Sequence, residues 1–234
     1  MAAFPRAFSS HNAIIGMGVG VIPDWATERR EMVDAQLRRR GIRDERVLAA
    51  MLEIPRERFV PPEARVAAYQ DCPIPIGYGQ TISQPYMTAL MAESLDLKGF
   101  ETVLEVGAGS GYAAAVLGLL AERVAAIEII PKLAAMAREN LRGAGYDRNV
   151  TAIHGDGSLG YADSAPYDAI SVAAGASQIP PALLDQLNDP GTLVMPVGDS
   201  DDQELRVVTK RDGSIVTRVA TLCRFVPLVG EGRR

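Results

Sequence analysis

An acidic side chain and three alternating glycines form the part of this sequence best suited to holding a ligand. Glu105 lies in an apolar run with β-branched residues, and Gly107, Gly109 and Gly111 separate that run from an Ala- and Leu-rich stretch. The pattern predicts a buried strand, a tight turn and the start of a helix. Glycine suits such a turn because it tolerates positive φ and lets a ligand approach the backbone. A carboxylate beside the turn favours a ligand with a cationic amino group, although a plain strand–helix turn has the same pattern.

The spacing of the glycines distinguishes this turn from a dinucleotide-binding turn. Dinucleotide-binding turns carry Gly-x-Gly-x-x-Gly and hold a pyrophosphate on a helix N-terminus. Here the spacing is Gly-x-Gly-x-Gly, which gives a tighter turn. Together with the neighbouring acid, it makes S-adenosylmethionine the candidate ligand.

Two further acids follow predicted strands and extend the same site. Glu128 ends the run 123–128, and an acid about 20 residues after the glycine turn is typical of mononucleotide-binding units, where it accepts hydrogen bonds from ribose hydroxyls. Asp156 and Gly157 follow the predicted strand 150–154, and an Asp held in this turn can accept a hydrogen bond from an adenine amino group. Because open α/β sheets bind ligands at the carboxyl ends of their strands, the three turns predict one adenosyl site.

Composition limits the classes of function that fit the chain. It has 234 residues, 47% of them apolar, and a net charge of −5 that disfavours a nucleic-acid partner. No stretch approaches the roughly 20 apolar residues that span a bilayer, so no membrane association is expected. With two histidines and two cysteines at unrelated positions, a metal site is not expected. Free thiols indicate a reducing compartment, so we expect a cytoplasmic protein.

The order of predicted elements indicates an α/β fold with a doubly wound parallel sheet. We expect a disordered leader at 1–22, N-terminal helices and a substrate-side loop at 23–84, and a ligand-binding core at 85–234 that forms one structural domain with the preceding segment. The helical extension spans 25–40 and 44–52, and the Pro- and Gly-rich stretch 59–80 predicts irregular structure. The core predicts helices at 85–95, 111–121, 131–143 and 180–187, and strands at 102–107, 123–128, 150–154, 167–173 and 191–196. An Asp-Gly turn then joins two strands, 205–210 and 215–224, into an antiparallel hairpin.

A motif before the glycine turn carries a specific resemblance. The run Gly79-Gln80-Thr81-Ile82-Ser83-Gln84-Pro85-Tyr86 resembles the signature of the protein-L-isoaspartate O-methyltransferase family, and generic methyltransferases do not carry it. Other blocks resemble the family in the same order, among them 47–59, 105–112, 155–157 and 225–229, and the resemblance spans about residues 25–230. It implies a Rossmann-like S-adenosylmethionine-dependent methyltransferase fold with a C-terminal antiparallel hairpin and an N-terminal helical extension.

The resemblance also implies an activity. An enzyme of this family transfers the methyl group of S-adenosylmethionine to the free α-carboxylate of L-isoaspartyl residues in damaged proteins and peptides, and S-adenosyl-L-homocysteine is the other product. The ester then collapses to a succinimide, whose hydrolysis returns some normal aspartate. A monomer is the expected state.

The same resemblance implies roles for individual residues. Ser83 is the catalytic residue beside the reacting carboxylate, and Val226, Pro227 and Leu228 form the substrate-side wall. The residues implied for the cofactor are Gln80, Thr81, Ile82, Ser83, Thr88, Glu105, Gly107, Gly109, Gly111, Glu128, Asp156 and Gly157.

Other interpretations of these residues stay open at the level of sequence. Ser83 is also well placed to cap the helix predicted at Pro85, and Val226–Leu228 reads equally as a buried strand end. A small-molecule carboxyl O-methyltransferase on the same frame would share the glycine turn and the acids. An NAD-dependent oxidoreductase would use Glu128 equally well, but its glycine spacing differs. A non-catalytic S-adenosylmethionine-binding module is a further alternative.

Overall fold

The computed structural model of the chain describes residues 23–199 and 202–233. The leader predicted at 1–22 lies outside the described residues. The helices are α1 Trp25–Glu31, α2 Glu45–Glu53, α3 Pro85–Ser94, α4 Tyr112–Leu120, α5 Pro131–Ala144 and α6 Pro181–Asp185. The strands are β1 Ile74–Gly77, β2 Gln80–Ile82, β3 Thr102–Val106, β4 Arg123–Glu128, β5 Val150–His154, β6 Tyr167–Val172, β7 Leu187–Gly198, β8 Gln203–Arg211 and β9 Ser214–Cys223.

A seven-stranded sheet organises the fold, in the order β5-β4-β3-β6-β7-β8-β9. Strands β3 to β7 pair in parallel, and β8 and β9 add an antiparallel hairpin at one edge. The chain leaves β3 toward β4 on one side and later returns to β6 on the other. This reversal of direction is where open α/β sheets form a ligand crevice. The predicted fold class and C-terminal hairpin are therefore confirmed.

Two hydrophobic clusters cover the two faces of the sheet. Successive residues of β3 alternate between them, with Val103 in one and Leu104 in the other. The larger cluster takes its side chains from α2, α3, α4 and α5, while α6 contributes Leu183 to the smaller one. Strands buried on both faces read as continuous apolar runs, as this sequence does. Because α2 packs against α3 and α4, the N-terminal helices share the core of the sheet domain.

The stretch predicted as irregular contains most of a short hairpin, so that prediction was wrong for residues 74–77 and for Gln80. Strand β1 pairs antiparallel with β2, with Ile74 opposite Ile82 and Pro75 opposite Thr81. In a two-stranded sheet each strand is an edge, which is where a proline without an N–H is tolerated. The turn between them takes positive φ at Tyr78 and Gly79. The hairpin delivers residues 80–83 to the carboxyl edge of the main sheet.

The first predicted helix has the expected extent but an irregular backbone. α1 continues as a π-helical turn over Met32–Leu37 and a 3₁₀ turn over Arg38–Arg40 before Gly41 ends it at φ 102°. Asp44 caps the second helix, α2, because its side chain accepts a hydrogen bond from the backbone N–H of Arg46 at 2.8 Å.

Candidate active site

The glycine turn between β3 and α4 adopts a backbone that other residues rarely take. Gly107, Gly109 and Gly111 have φ of 89°, 55° and 89°. A Cβ on Gly111 would also lie 3.2 Å from the carbonyl oxygen of Ala137 in α5. All three predicted glycines are therefore favoured by their backbone conformation, and Gly111 also by close packing against α5.

Glu105 provides a buried carboxylate beside this turn. Its side chain is 1% exposed, and its Oε2 has no hydrogen-bond partner among the described residues. Burial, and then the charge of Glu128, raise the pKa of Glu105 well above its ordinary value. Burying a carboxyl oxygen that has no hydrogen-bond partner costs free energy, unless a bound ligand supplies the missing partner. The ammonium group of S-adenosylmethionine is a fitting partner, so this residue fits the predicted cofactor.

Glu128 ends β4 on the other side of the turn. Its carboxylate accepts hydrogen bonds from the backbone N–H groups of Gly109 and Ile130, each at 2.9 Å. These two bonds orient the carboxylate and brace the glycine turn. Each carboxylate oxygen has a second lone pair, so the side chain retains capacity to accept from ribose hydroxyls.

An inner cavity of about 400 Å³ opens at this edge of the sheet. Most of the predicted site residues line it: Gln80, Thr81, Ile82, Ser83, Thr88, Glu105, Gly107, Gly109, Glu128, Gly157, Val226, Pro227 and Leu228. Gly111 and Asp156 do not line it. Gly111 lies behind the turn as the residue before α4.

Asp156 is occupied by contacts within the protein. Its Oδ1 accepts from the backbone N–H and the hydroxyl of Ser158, at 2.9 and 2.6 Å, and its Oδ2 accepts from the backbone N–H of Glu231 at 2.8 Å. Burial acts to raise the pKa of Asp156, but these hydrogen bonds outweigh it and lower the pKa. The carboxylate therefore fastens the segment 230–233 to the turn after β5, and its contact with adenine stays a prediction.

Ser83 lies between β2 and α3 and does not cap the helix. The residue preceding α3 is Gln84, and no side chain caps this helix. The capping alternative for Ser83 is therefore not realised. The backbone carbonyl of Ser83 instead accepts a hydrogen bond from the buried guanidinium of Arg56 at 2.7 Å.

A second cavity adjoins the first. This outer cleft measures about 700 Å³ and shares with the inner cavity the residues Thr81, Ser83, Ala173, Val226 and Pro227. The two spaces therefore meet at Ser83 and the segment after β9. A molecule in the outer cleft would reach the contents of the inner cavity across these shared residues.

The outer cleft also contains residues that sequence reasoning missed. Arg40 lines it with Tyr86, and the Arg40 guanidinium lies 3.6 Å from the centre of the Tyr86 ring. Arg40 also pairs with Asp71 at 2.7 Å. On sequence alone, the arginine run 38–40 is typical of a solvated helix end, where cations are favourable. Its position just before Gly41 was the available signal that Arg40 turns toward another segment.

The wall after β9 is fixed by backbone pairing. The N–H of Gly175 donates to the carbonyl of Val226 at 2.8 Å, and the N–H of Leu228 donates to the carbonyl of Gly175 at 2.7 Å. The buried side chain of Gln203 accepts from the N–H of Phe225 at 2.8 Å. These bonds hold residues 225–228 in a defined position beside Ser83.

Residues 23–199 and 202–233 contain neither a metal-binding cluster nor a helix able to span a membrane. No group of three or more His, Cys, Asp and Glu side chains could hold a metal ion. No helix in the same ranges combines the length and apolarity needed to cross a membrane.

Comparison with known proteins gives consistent matches over nearly the whole chain. A family model described as protein-L-isoaspartate(D-aspartate) O-methyltransferase (PCMT) matches residues 27–233. The chain is 52% identical over 220 residues to the protein-L-isoaspartate O-methyltransferase of Hyperthermus butylicus, which covers 89% of this chain and 91% of that protein. It is 53% identical over 206 residues to the Methanoregula boonei protein of the same name, covering 87% and 94%.

Solved structures agree with the sequence matches. A protein-L-isoaspartate O-methyltransferase structure superposes with a TM-score of 0.77 at 30% identity, covering 88% of this chain and 67% of that one. A Plasmodium falciparum structure of the same description, in complex with S-adenosyl-L-homocysteine, gives a TM-score of 0.73 at 28% identity and covers 86% and 98%. The chain belongs to the protein-L-isoaspartate(D-aspartate) O-methyltransferase family, whose members are S-adenosylmethionine-dependent enzymes.

Proposed function

We propose that this protein transfers a methyl group from S-adenosylmethionine to the free α-carboxylate of L-isoaspartyl residues in damaged proteins and peptides. The observation that carries the proposal is the position of Ser83, which lines both the inner cavity and the open outer cleft. A peptide in the outer cleft can present one carboxylate at this junction while the rest of its chain stays outside the inner cavity.

The inner cavity is the proposed cofactor site. When bound, S-adenosylmethionine supplies a methyl group on a sulfonium, and S-adenosyl-L-homocysteine remains after transfer. Glu105 holds the ammonium group, Glu128 accepts from the ribose hydroxyls, and the turn at Asp156 and Gly157 faces the adenine. The other cofactor contacts are assigned to Gln80, Thr81, Ile82, Ser83, Thr88, Gly107, Gly109 and Gly111.

The reaction needs side chains that position the carboxylate, but it needs no side chain that transfers a proton. A carboxyl group has an ordinary pKa of about 4, so it is ionised at pH 7 and needs no general base. One carboxylate oxygen forms a bond to the methyl carbon as the carbon–sulfur bond breaks, and the leaving thioether is neutral, so no general acid is needed. Ser83 orients the carboxylate with its hydroxyl, and Val226, Pro227 and Leu228 keep the peptide against it. Rate enhancement then comes chiefly from proximity and orientation.

The proposal extends to the setting of the enzyme. The segment 23–84 supplies the substrate side, and 85–234 supplies the S-adenosylmethionine-binding core of the same structural domain. We infer a monomer that works in the cytoplasm without a metal. Two cysteines, Cys72 and Cys223, are both free and half-buried, which suits a reducing compartment.

Methyl transfer to matched peptides tests the proposal. Two synthetic peptides that differ only in Asp versus L-isoAsp are incubated with radiolabelled S-adenosylmethionine. Base-labile label on the isoAsp peptide alone is the expected result, because a carboxyl methyl ester hydrolyses in base. Label on neither peptide, with cofactor binding established, would refute the proposal and favour a small-molecule carboxyl O-methyltransferase.

A further inference from the structure

Arg56 has an unusual environment for an arginine. Its side chain is 0% exposed, and no carboxylate lies within ion-pair distance of it among residues 23–199 and 202–233. Burying a charge without an opposite charge is costly unless its donors are used, and here Nε and Nη2 are used, whereas Nη1 has no hydrogen-bond partner among the described residues. The predicted roles of the site residues leave Arg56 without a function.

The guanidinium of Arg56 connects three separate segments. Its Nε donates to the carbonyl of Ala68 at 2.7 Å, and its Nη2 donates to the carbonyl of Ser83, also at 2.7 Å. Its central carbon lies 4.7 Å from the centre of the Tyr112 ring. Tyr112 is the first residue of α4, follows the glycine turn directly and lines the inner cavity. One side chain thus ties the Ser83 backbone to the cavity wall.

The Ser83 side chain depends on this backbone contact. Among the described residues no hydrogen bond to the Ser83 hydroxyl is formed, and no side chain caps the helix that follows. The backbone therefore sets the position from which the hydroxyl reaches the substrate, while no hydrogen bond fixes its rotamer. A planar, charged donor fork fixes a carbonyl direction better than a neutral donor, because charge-assisted hydrogen bonds are stronger and the fork is rigid.

We propose that Arg56 is a positioning residue for methyl transfer, which holds the Ser83 backbone so that the Ser83 hydroxyl meets the substrate carboxylate. This inference rests on the proposed function. It assigns Arg56 no contact with cofactor or substrate. Its contacts with Ala68 and Tyr112 support packing, whereas the hydrogen bond to the Ser83 carbonyl is the contact that we assign to positioning, and coupling to Ser83 is the signature that a general packing role lacks.

The test compares two Arg→Lys variants, each of which removes a guanidinium that bridges two backbone carbonyls. In Arg56→Lys the compact ammonium cannot reproduce the planar fork that spans two carbonyls. Arg46 is the control for losing a guanidinium that bridges two carbonyls, here those of Leu97 and Leu120 at 2.6 and 2.9 Å, and it lines neither cavity. Because Arg46 is exposed and Arg56 is buried, this control does not match burial, and the double-mutant cycle below separates positioning from packing. We expect kcat on the isoAsp peptide to fall by about tenfold to hundredfold in Arg56→Lys, as for other small misplacements. In Arg46→Lys kcat stays within about twofold of wild type.

A double-mutant cycle with Ser83→Ala separates positioning from packing. Expected is a large loss for each single variant and little further loss in Arg56→Lys/Ser83→Ala, because both changes remove one interaction. Additive losses, or equal losses in Arg56→Lys and Arg46→Lys, would overturn the assignment. If neither Arg56→Lys nor Arg56→Gln yields folded protein by circular dichroism, the residue is structural and the inference is wrong. Wild-type protein inactive on the isoAsp peptide would instead reject the proposed function, and this inference with it.

Discussion

Glu105 and Glu128, at the carboxyl ends of the neighbouring parallel strands β3 and β4, interact as like charges. Burial first, and then the charge of Glu128, raise the pKa of Glu105 well above its ordinary value. Only Glu128 has backbone donors, from Gly109 and Ile130, whereas Oε2 of Glu105 has no partner among the described residues. The site thus contains one carboxylate, Glu128, that backbone N–H groups hold in place, and one, Glu105, that a bound cation would pair with.

The raised pKa of Glu105 predicts that cofactor binding releases a proton. In the free protein Glu105 is protonated up to a pH well above its ordinary range, and an ammonium ligand favours the ionised form. Affinity for S-adenosyl-L-homocysteine should therefore rise with pH until Glu105 ionises in the free protein, by at most about tenfold per pH unit. Isothermal titration in two buffers with different ionisation heats measures the released proton.

The control for this prediction is Glu105→Gln, which should bind more weakly and lose the pH dependence. Any pH dependence that remains in Glu105→Gln reports the ionisation of the ligand itself, and it is subtracted from the wild-type profile. Glu139→Gln, an exposed change in α5, should keep the wild-type profile. A wild-type profile that coincides with that of Glu105→Gln would contradict the linkage.

The same residue should make the free protein less stable at neutral pH. A carboxyl whose folded pKa is raised contributes its full stability below the unfolded pKa of about 4.3 and loses it as pH rises through the folded pKa. Glu105→Gln removes this loss, so it should raise the Tm at pH 8 by a few degrees and leave it nearly unchanged at pH 4. Calorimetry of the free protein at both pH values measures this, and an equal shift at both would contradict it.

Ser83→Ala should affect the reaction and little else. The hydroxyl has no hydrogen-bond partner in the described part of the chain and does not cap α3, so Tm should stay within about 1 °C of wild type. On the isoAsp peptide kcat should fall at least about tenfold, because the carboxylate is no longer oriented. Ser94→Ala, at the other end of the same helix, is the matched control. Activity of Ser83→Ala within about twofold of wild type would remove Ser83 from the mechanism.

Glu128→Ala should weaken S-adenosyl-L-homocysteine binding by at least about fivefold, which corresponds to roughly 1 kcal/mol for one hydrogen bond. A larger loss is consistent with the structure, since this carboxylate also braces the N–H groups of Gly109 and Ile130. Glu122→Ala, an exposed change just before β4, should bind normally. Unchanged affinity in Glu128→Ala would refute the ribose assignment.

Asp156→Asn should loosen the segment 230–233. The amide replaces one acceptor oxygen, so the backbone N–H of Glu231 or the Ser158 pair loses its bond, and exchange of the Glu231 and Gly232 amides should quicken by about tenfold or more. A depressed folded pKa means that this tie is present above the unfolded value of about 3.9 and is lost as pH falls through the lower folded pKa. Hydrogen exchange measures it, with Asp163→Asn as the exposed control. Equal exchange in both variants would show that Asp156 does not hold the segment.

The sheet and the glycine turn could be predicted because their signals are local. Strand 150–154 has the predicted bounds, and the turn of the C-terminal hairpin lies at Asp212 and Gly213 as expected. The β1–β2 hairpin was missed because Pro75, Gly77 and Gly79 resemble an irregular loop, and only the absence of further neighbouring strands makes a proline tolerable there.

Hydrogen bonds between residues far apart along the chain could not be predicted from the sequence. Nothing around Arg56 indicates that it donates to Ser83, 27 residues further on. Asp156 has the sequence context of a ligand contact, yet its acceptors are engaged by Ser158 and Glu231. A motif identifies which residue types meet a ligand, but the fold decides which of them are already occupied.

Two walls of the outer cleft come from chain segments far apart, one from residues within 81–87 and the other from 221–227. About 140 residues separate Ser83 from Val226, and contacts of such sequence separation carry a high loop-closure entropy that slows their formation during folding. The local strand–helix–strand units that bear Glu105 and Glu128 need no such closure. During folding, the strands β3 and β4 and the part of the inner cavity that they form can therefore be in place before the outer cleft exists. Until that cleft closes, the chain has no surface on which a damaged protein could be repaired.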